Sequence, residues 1–483
     1  MTQLDIYPYA TSLNHFEDYP DNNDYIKLIW SIGITVISLV VGGFIFFITK
    51  NKLVFVAMVG STYVLLTFYS IPYGLMGLFA LLSIENAIIL SEGFTISKIA
   101  GVVILLSFSF RLLISKLVLP DSFGTMSLFV GWAGFSILWS IFPFTVNLMF
   151  WLTLVLNLGL VFIMTNAIKD KKVLFVVSSG LILGAFVSSV LVASGYVVEY
   201  SGYAAKIGRA SLQEGSDPVT LAFSLTLGAV VLVHVAFRGG LLKKIFAGIL
   251  FMLIFYANFK TQSRTPLACS VVIPVVAFIM CAAKGKRFKY LLIAFALSIV
   301  ALISLKMLYK SNLLSDAARE RFTKDDLVSS GRLYFWSMAV SFFMERPLTG
   351  WGVGNYPARS LMIGEGYQAA HNSLLSIMAE LGIPGLIVFV VLHIKLLRAT
   401  MKIKDLQIRW IAVAMLMFAV LSGTTVTHYF KKSFWYSLGL TVVAINLAKN
   451  KTEQEYEVIE DDMFQGEQYY PYYLDGKDIM AKS

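Results

Sequence analysis

Long apolar runs, most of them separated by short polar breaks, recur from about residue 26 to residue 448. Runs of about 20 residues close their own backbone hydrogen bonds as helices inside lipid, where a loop or sheet edge would leave N–H and C=O groups without partners. The chain has 57% hydrophobic and 14% charged residues, with a mean hydropathy of +0.74. That leaves too little polar surface to cover a soluble core. A membrane β-barrel would show short alternating segments instead. The expected fold is all-α, a polytopic transmembrane helical bundle.

At about 20 residues per crossing, about 12–14 spans are expected. They fall near 26–49, 53–70, 73–91, 97–118, 125–141, 145–167, 173–198, 217–237, 242–259, 267–283, 290–308, 372–394, 410–425 and 433–448. The expected organisation is a cytoplasmic N-terminal segment (1–25), a transmembrane bundle (26–308), one long extracytoplasmic loop (309–371), C-terminal spans (372–448) and a tail (449–483). The tail is acidic, rich in tyrosine and poor in aliphatics, the composition of a disordered cytoplasmic segment. The basic clusters KDKK (169–172), RGGLLKK (238–244), KGKRFK (284–289) and KLLRATMKIKDLQIR (395–409) fall at turns of one parity. By the positive-inside rule they face the cytoplasm; KNK at 50–52 is the exception. The net charge of +10 is thus explained by membrane orientation, and no nucleic-acid partner is expected. Cys269 and Cys281 stand in apolar runs without metal-ligand spacing, as buried inert thiols do.

The long loop nearly balances its charges, with seven Lys/Arg against six Asp/Glu between Lys310 and Ala370. Within it Leu333, Trp336, Val340 and Phe343 recur at helical spacing, predicting an amphipathic helix on the outer membrane interface. Four polar groups stand at the outer mouths of different spans: Arg209, Arg264, Arg332 and His371. Asp217-Pro218 reads as a helix start, with Asp as N-cap and Pro as the first helical residue. A guanidinium presents a planar fork that matches phosphate oxygens. Three of them with one histidine would suit a lipid diphosphate at the interface, and histidine is the side chain best poised to take a proton from a hydroxyl near neutral pH. The plainer readings are that the arginines snorkel to headgroups and that His371, with Asn372, caps a helix. His428, beside Lys431 and Lys432, faces outward in this topology and would add positive charge or snorkel.

The run GRLYFW…ERPLTGWGVGNYP…AHNSLLSIMAELGIPGL resembles the signature region of the O-antigen ligase and polymerase superfamily. An arginine shortly before Asp217-Pro218 (Arg209), Ser263-Arg264 at the opening of a span, and SILWSIFP (136–143) are similar to further features of that superfamily. The resemblance covers residues 136–393. It implies a metal-independent, inverting glycosyltransferase without cofactor. Such an enzyme takes a glycan from undecaprenyl diphosphate at the outer face of the inner membrane and passes it to a lipid- or glycan-type acceptor. The arginines would hold the diphosphate and His371 would position or deprotonate the acceptor hydroxyl, with Asp217, Asn372 and Glu380 in support. Ser373-Leu374 after HN departs from the superfamily pattern, where an aromatic or a second histidine is common, and leaves the acceptor open. A repeat-unit polysaccharide polymerase is the alternative within the superfamily. A small-anion transporter is the alternative from another class; its candidate intramembrane residues are Glu85, Arg111 and Glu380, the last paired with a buried arginine.

Overall fold

The computed structural model describes residues 52–85, 89–91, 94–112, 117–195, 209–212, 217–238, 240–282, 292 and 331–467. The N-terminal segment, the spans expected near 26–49 and 290–308, and the first part of the long loop lie outside the described residues.

The described chain is a helical bundle. Helices α1 (Lys52–Tyr69) and α2 (Ile71–Ile84) form a tight hairpin hinged at Ser70, and a short two-stranded hairpin (Ile89–Ser91 with Phe94–Thr95) leads into α3 (Ile96–Leu112). Helix α4 (Phe123–Phe135) passes through one 3-10 turn into α5 (Phe144–Ala167), followed by α6 (Lys171–Ala193), α7 (Pro218–Arg238), α8 (Leu241–Lys260) and α9 (Arg264–Cys281). The C-terminal part comprises α10 (Arg332–Glu345), α11 (Tyr356–Met362), α12 (Ser373–Lys402), α13 (Leu406–Gly423) and α14 (Lys432–Glu467). Among the described residues, seven helices are long and apolar enough to cross a membrane: α5 to α9, α12 and α13. The shorter apolar helices α2 and α4 fall at two further expected spans.

Helices α2 and α6 pack with almost no side chain between them. A Cβ on Gly180 or Gly184 would stand 2.1 Å from the Met76 or Ala80 carbonyl oxygen. Small residues at such crossings let backbones approach where lipid supplies no hydrophobic drive for association. Helix α13 lies at the centre, with Trp410 to Leu416 continuously buried, while α8 turns Leu241, Leu242, Ile245, Phe246 and Ile249 outward. An apolar face left bare by the protein is what lipid covers.

Two of the basic loops can be placed at one end of the bundle. Lys171 pairs with Asp405 at 2.5 Å, and Arg409 donates to the Met280 carbonyl at 3.3 Å. The clusters at 169–172 and 395–409 therefore share one end; the cluster at 284–289 lies outside the described residues. At the other end Lys432 pairs with Glu85 at 2.5 Å, and the turn after α4 bonds the long loop through Phe142 N–H and the Asn355 side chain at 2.8 Å.

Helix α12 has 30 residues, about 45 Å at 1.5 Å per residue, and it is broken at Gly382 (φ 63°, ψ −164°). Pro384 cannot donate to the Glu380 carbonyl, which takes the Gly352 N–H at 2.8 Å instead. The Ile383 N–H goes to Pro347 O at 2.8 Å, the Ala379 carbonyl accepts from Trp351 N at 3.0 Å, and the Leu381 carbonyl accepts from the Trp132 indole at 2.9 Å. The segments PLTGWGVG and ELGIPGL are thus mated halves: one breaks a membrane helix and the other satisfies the freed backbone groups.

Helix α10 forms where the amphipathic helix is predicted. It buries Met338, Ala339 and Phe342 against α12. Leu333 and Val340, on the predicted stripe, are exposed, which leaves that stripe for the lipid interface. Helix α14 continues to Glu467, past residue 448 where the last span is expected to stop. Its extension is rich in glutamate, a good helix former.

Candidate functional site

Arg209 lies on a short strap, residues 209–212, laid against the turn between α8 and α9. The Ala210 N–H donates to the Lys260 carbonyl at 2.9 Å. The Arg209 guanidinium then grips the turn twice, through Nε to Thr261 O at 2.9 Å and through Nη2 to Ser263 Oγ at 3.0 Å. The next residue, Arg264, opens α9. Arg209, from a separate stretch of sequence, is therefore docked on the turn that leads into Arg264. The turn itself is strained, since Gln262 has φ 53°, a left-handed conformation uncommon outside glycine.

Asp217 caps α7 as its sequence predicts, its carboxylate accepting from Val219 N at 3.0 Å. Helix α7 runs beside α9, with the Thr226 hydroxyl donating to Pro266 O at 2.8 Å.

His371 precedes α12 with φ 51°. Gln262 and His371 are the two non-glycine residues with positive φ among the described residues, and both belong to this end of the bundle. Such strain collects at functional sites. The histidine backbone is held from its C-terminal side. Asn372 caps α12, accepting from Leu375 N at 3.2 Å and donating to Thr424 O at 3.3 Å. The Ser373 hydroxyl donates to Val426 O at 3.2 Å and accepts from His428 N at 2.8 Å. The imidazole packs near Phe335 of α10, ring centroids 6.2 Å apart. Burial, then the positive charge of Arg332, push the His371 pKa below its ordinary 6.5, against a smaller opposite pull from Asp217. The ring is neutral at pH 7 and able to accept a proton. Arg332, Asp217 and His371 thus share an electrostatic neighbourhood, while Arg209 and Arg264 share the α8–α9 turn at the same end of the bundle.

Glu380 stands elsewhere. It does not pair with an arginine: its carboxylate accepts from Gly354 N at 2.8 Å, Tyr356 N at 3.3 Å and the Tyr429 hydroxyl. It holds the glycine-rich loop in place. Every backbone N–H from Trp351 to Tyr356 has an internal partner, so this loop is a structural joint and offers no N–H cradle for phosphate.

Three further expectations need correcting. His428 is buried between Phe223 and Phe418, with Nε2 2.5 Å from Ser433 Oγ. Burial and the nearby Lys431 push its pKa down to about 3, so it is neutral and carries no outward charge. Glu85 is engaged by Lys432, and Arg111 donates to the Tyr69 carbonyl at 2.9 Å at the opposite end. Local partners hold each of the two, and they form no relay across the bundle. Ser373, which in the sequence stands out only as a departure from the superfamily pattern after HN, ties the start of α12 to the 426–428 segment.

Between α12 and α13 runs an apolar groove of about 430 Å³, reaching from Ser373 and Thr424 at the His371 end to Leu397. Val390, Ile394, Leu397 and Val420 along it are exposed, so the groove opens sideways into the region lipid would occupy.

These features define a multi-pass helical membrane protein with guanidinium groups and a neutral histidine gathered at one end, above a lipid-accessible groove. Residues 223–390 match the family model described as O-antigen ligase, which supports the resemblance to the O-antigen ligase and polymerase superfamily. The match runs from α7 through most of α12 and includes Arg264, Arg332 and His371; Arg209 and Asp217 precede it. No curated protein sequence matches the chain.

Proposed function

We propose that the chain is a membrane glycosyltransferase of O-antigen ligase type. It transfers a glycan from undecaprenyl diphosphate to an acceptor hydroxyl, on lipid A-core or a growing surface polysaccharide, at the outer face of the cytoplasmic membrane. The observation that carries this reading is the docking of Arg209 on the turn that presents Arg264, at the same end of the bundle as His371. Two guanidinium forks held there match a diphosphate and oppose the negative charge that grows as it departs. The basic loops 169–172 and 395–409 at the other end support an outward-facing site.

In the reaction, the acceptor oxygen forms a bond to the anomeric carbon as the bond from that carbon to the diphosphate oxygen breaks. Attack in line with the leaving group inverts the anomeric configuration. The acceptor proton passes to His371, which is neutral at pH 7 and so available as a base. Arg209, Arg264 and Arg332 hold the diphosphate, while Asn372 and Asp217 fix the helix starts that carry the site. The groove below Ser373 and Thr424 takes part of the lipid chain of the donor.

The test is transfer by the purified full chain in lipid nanodiscs, from an undecaprenyl-diphosphate glycan to a hydroxyl acceptor, with the new linkage analysed. Product with inverted configuration, formed equally with and without a metal chelator, is expected. Retention of configuration, or loss of activity on chelation that divalent metal restores, would contradict the mechanism.

A further inference from the structure

A polar cavity lies at the opposite end of the bundle from His371, and the proposed transfer reaction makes no use of it. It has a volume of about 290 Å³ and sits between the α1–α2 hinge, the end of α3 and the end of α5. Ser70, Arg111, Asn166 and Lys169 supply its polar wall, with Phe108 and Val173 behind them, and no lining residue is acidic.

The groups in this wall differ in how fully they are used. Asn166 is satisfied: it bonds both ways with the Val118 backbone, at 2.8 and 3.1 Å, and pins that segment as one wall. Ser70 stands at the N-cap of α2 but makes no capping hydrogen bond. Arg111 uses one guanidinium nitrogen on Tyr69 O at 2.9 Å, out of five N–H donors that the group carries. Lys169 is exposed, and the neighbouring carboxylate of Asp170, which does not line the cavity, caps α6 at Val173 N, 2.8 Å. Two cations and a hydroxyl therefore face one cavity with no carboxylate in its wall.

We propose that this cavity binds a phosphate group, either the headgroup phosphate of an anionic phospholipid or soluble phosphate. A phosphate presents three or four acceptor oxygens to a wall of donors and neutralises both cations. The cavity lies among the basic loops that mark this end, where an anionic leaflet would concentrate lipid headgroups. Bound there, the phosphate would tie the α1–α2 hinge to the ends of α3 and α5. The site is independent of the transfer site, because the two lie at opposite ends of the bundle and are built from different helices.

The test uses the full chain purified in detergent. Native mass spectrometry after addition of phosphatidylglycerol or phosphatidylcholine reads lipid retention, and thermal unfolding with inorganic phosphate reads the soluble source. Lys169→Gln and Arg111→Gln are compared with Lys449→Gln, which removes a charge near Asp121 at the same end but outside the cavity. Removing the Arg111 bond to Tyr69 also loosens the hinge, so Lys169→Gln is the decisive variant. Wild type and Lys449→Gln should retain phosphatidylglycerol over phosphatidylcholine, and Lys169→Gln should retain about fivefold less. Stabilisation by inorganic phosphate that Lys169→Gln loses, without selective lipid retention, would assign the soluble source and uphold the site. Equal lipid retention and equal phosphate response in all the proteins, or neither effect in wild type, would overturn it.

Discussion

Arg209 donates from Nη2 to the Ser263 hydroxyl at 3.0 Å, one residue before Arg264. Because Nε also donates, to Thr261 O, the guanidinium plane is fixed by two bonds that an ammonium cannot copy. Arg209→Lys should keep the charge yet lose the fork geometry, at a cost of about 1.5–3 kcal/mol for hydrogen bonds to a charged group. In a transfer assay this reads as about a tenfold or greater rise in donor KM. An unchanged KM with Lys at both 209 and 264 would reduce the arginines to headgroup anchors.

The joint between the glycine-rich loop and α12 predicts a stability effect separable from chemistry. Gly354 has φ 72°, and a Cβ there would lie 2.6 Å from the Phe150 ring; Gly364 has φ 82° with open space around it. Gly364→Ala should carry only the left-handed backbone penalty, about 1–2 kcal/mol. Gly354→Ala adds a clash and should destabilise clearly more, with a lower unfolding temperature in detergent. Equal losses at the two positions would show that the loop is not clamped as described.

Much of this was legible in the sequence. Apolar runs of membrane length give the class, Asp217 and Asn372 announce their caps by residue type, and the parity of the basic loops predicts which turns share an end. What could not be read is what depends on contacts between distant segments. The ELGIPGL segment contains an acid, and sequence alone suggests an arginine partner; only the fold shows three donors from 354, 356 and 429 meeting Glu380. His428 stands between outward-facing polar residues in the sequence, yet Phe223 and Phe418 close over it. The left-handed backbone of His371 has no local signal, since neither glycine nor asparagine occupies the position.

The pH dependence of transfer carries a sign that can be checked twice. In the proposed reaction His371 acts as a base when unprotonated, and burial with Arg332 holds its pKa below 6.5. The acid limb of kcat/KM should therefore fall below pH 6.5. Arg332→Gln removes a charge that lowers this pKa and should move the limb to higher pH. Asp217→Asn removes one that raises it and should move the limb to lower pH. Limbs that stay in place in both variants would exclude His371 as the titrating group.

The proposed transfer chemistry rests on His371 taking the acceptor proton, and His371→Asn tests this most directly. Asparagine tolerates the left-handed backbone at this position better than alanine, keeps a polar side chain, and cannot accept a proton at neutral pH. In a reconstituted assay the variant should fold and bind the lipid-diphosphate donor as wild type does, while transfer falls about a hundred- to ten-thousand-fold. Transfer at the wild-type rate by His371→Asn would contradict the general-base role and leave the arginine site to act by charge and positioning alone.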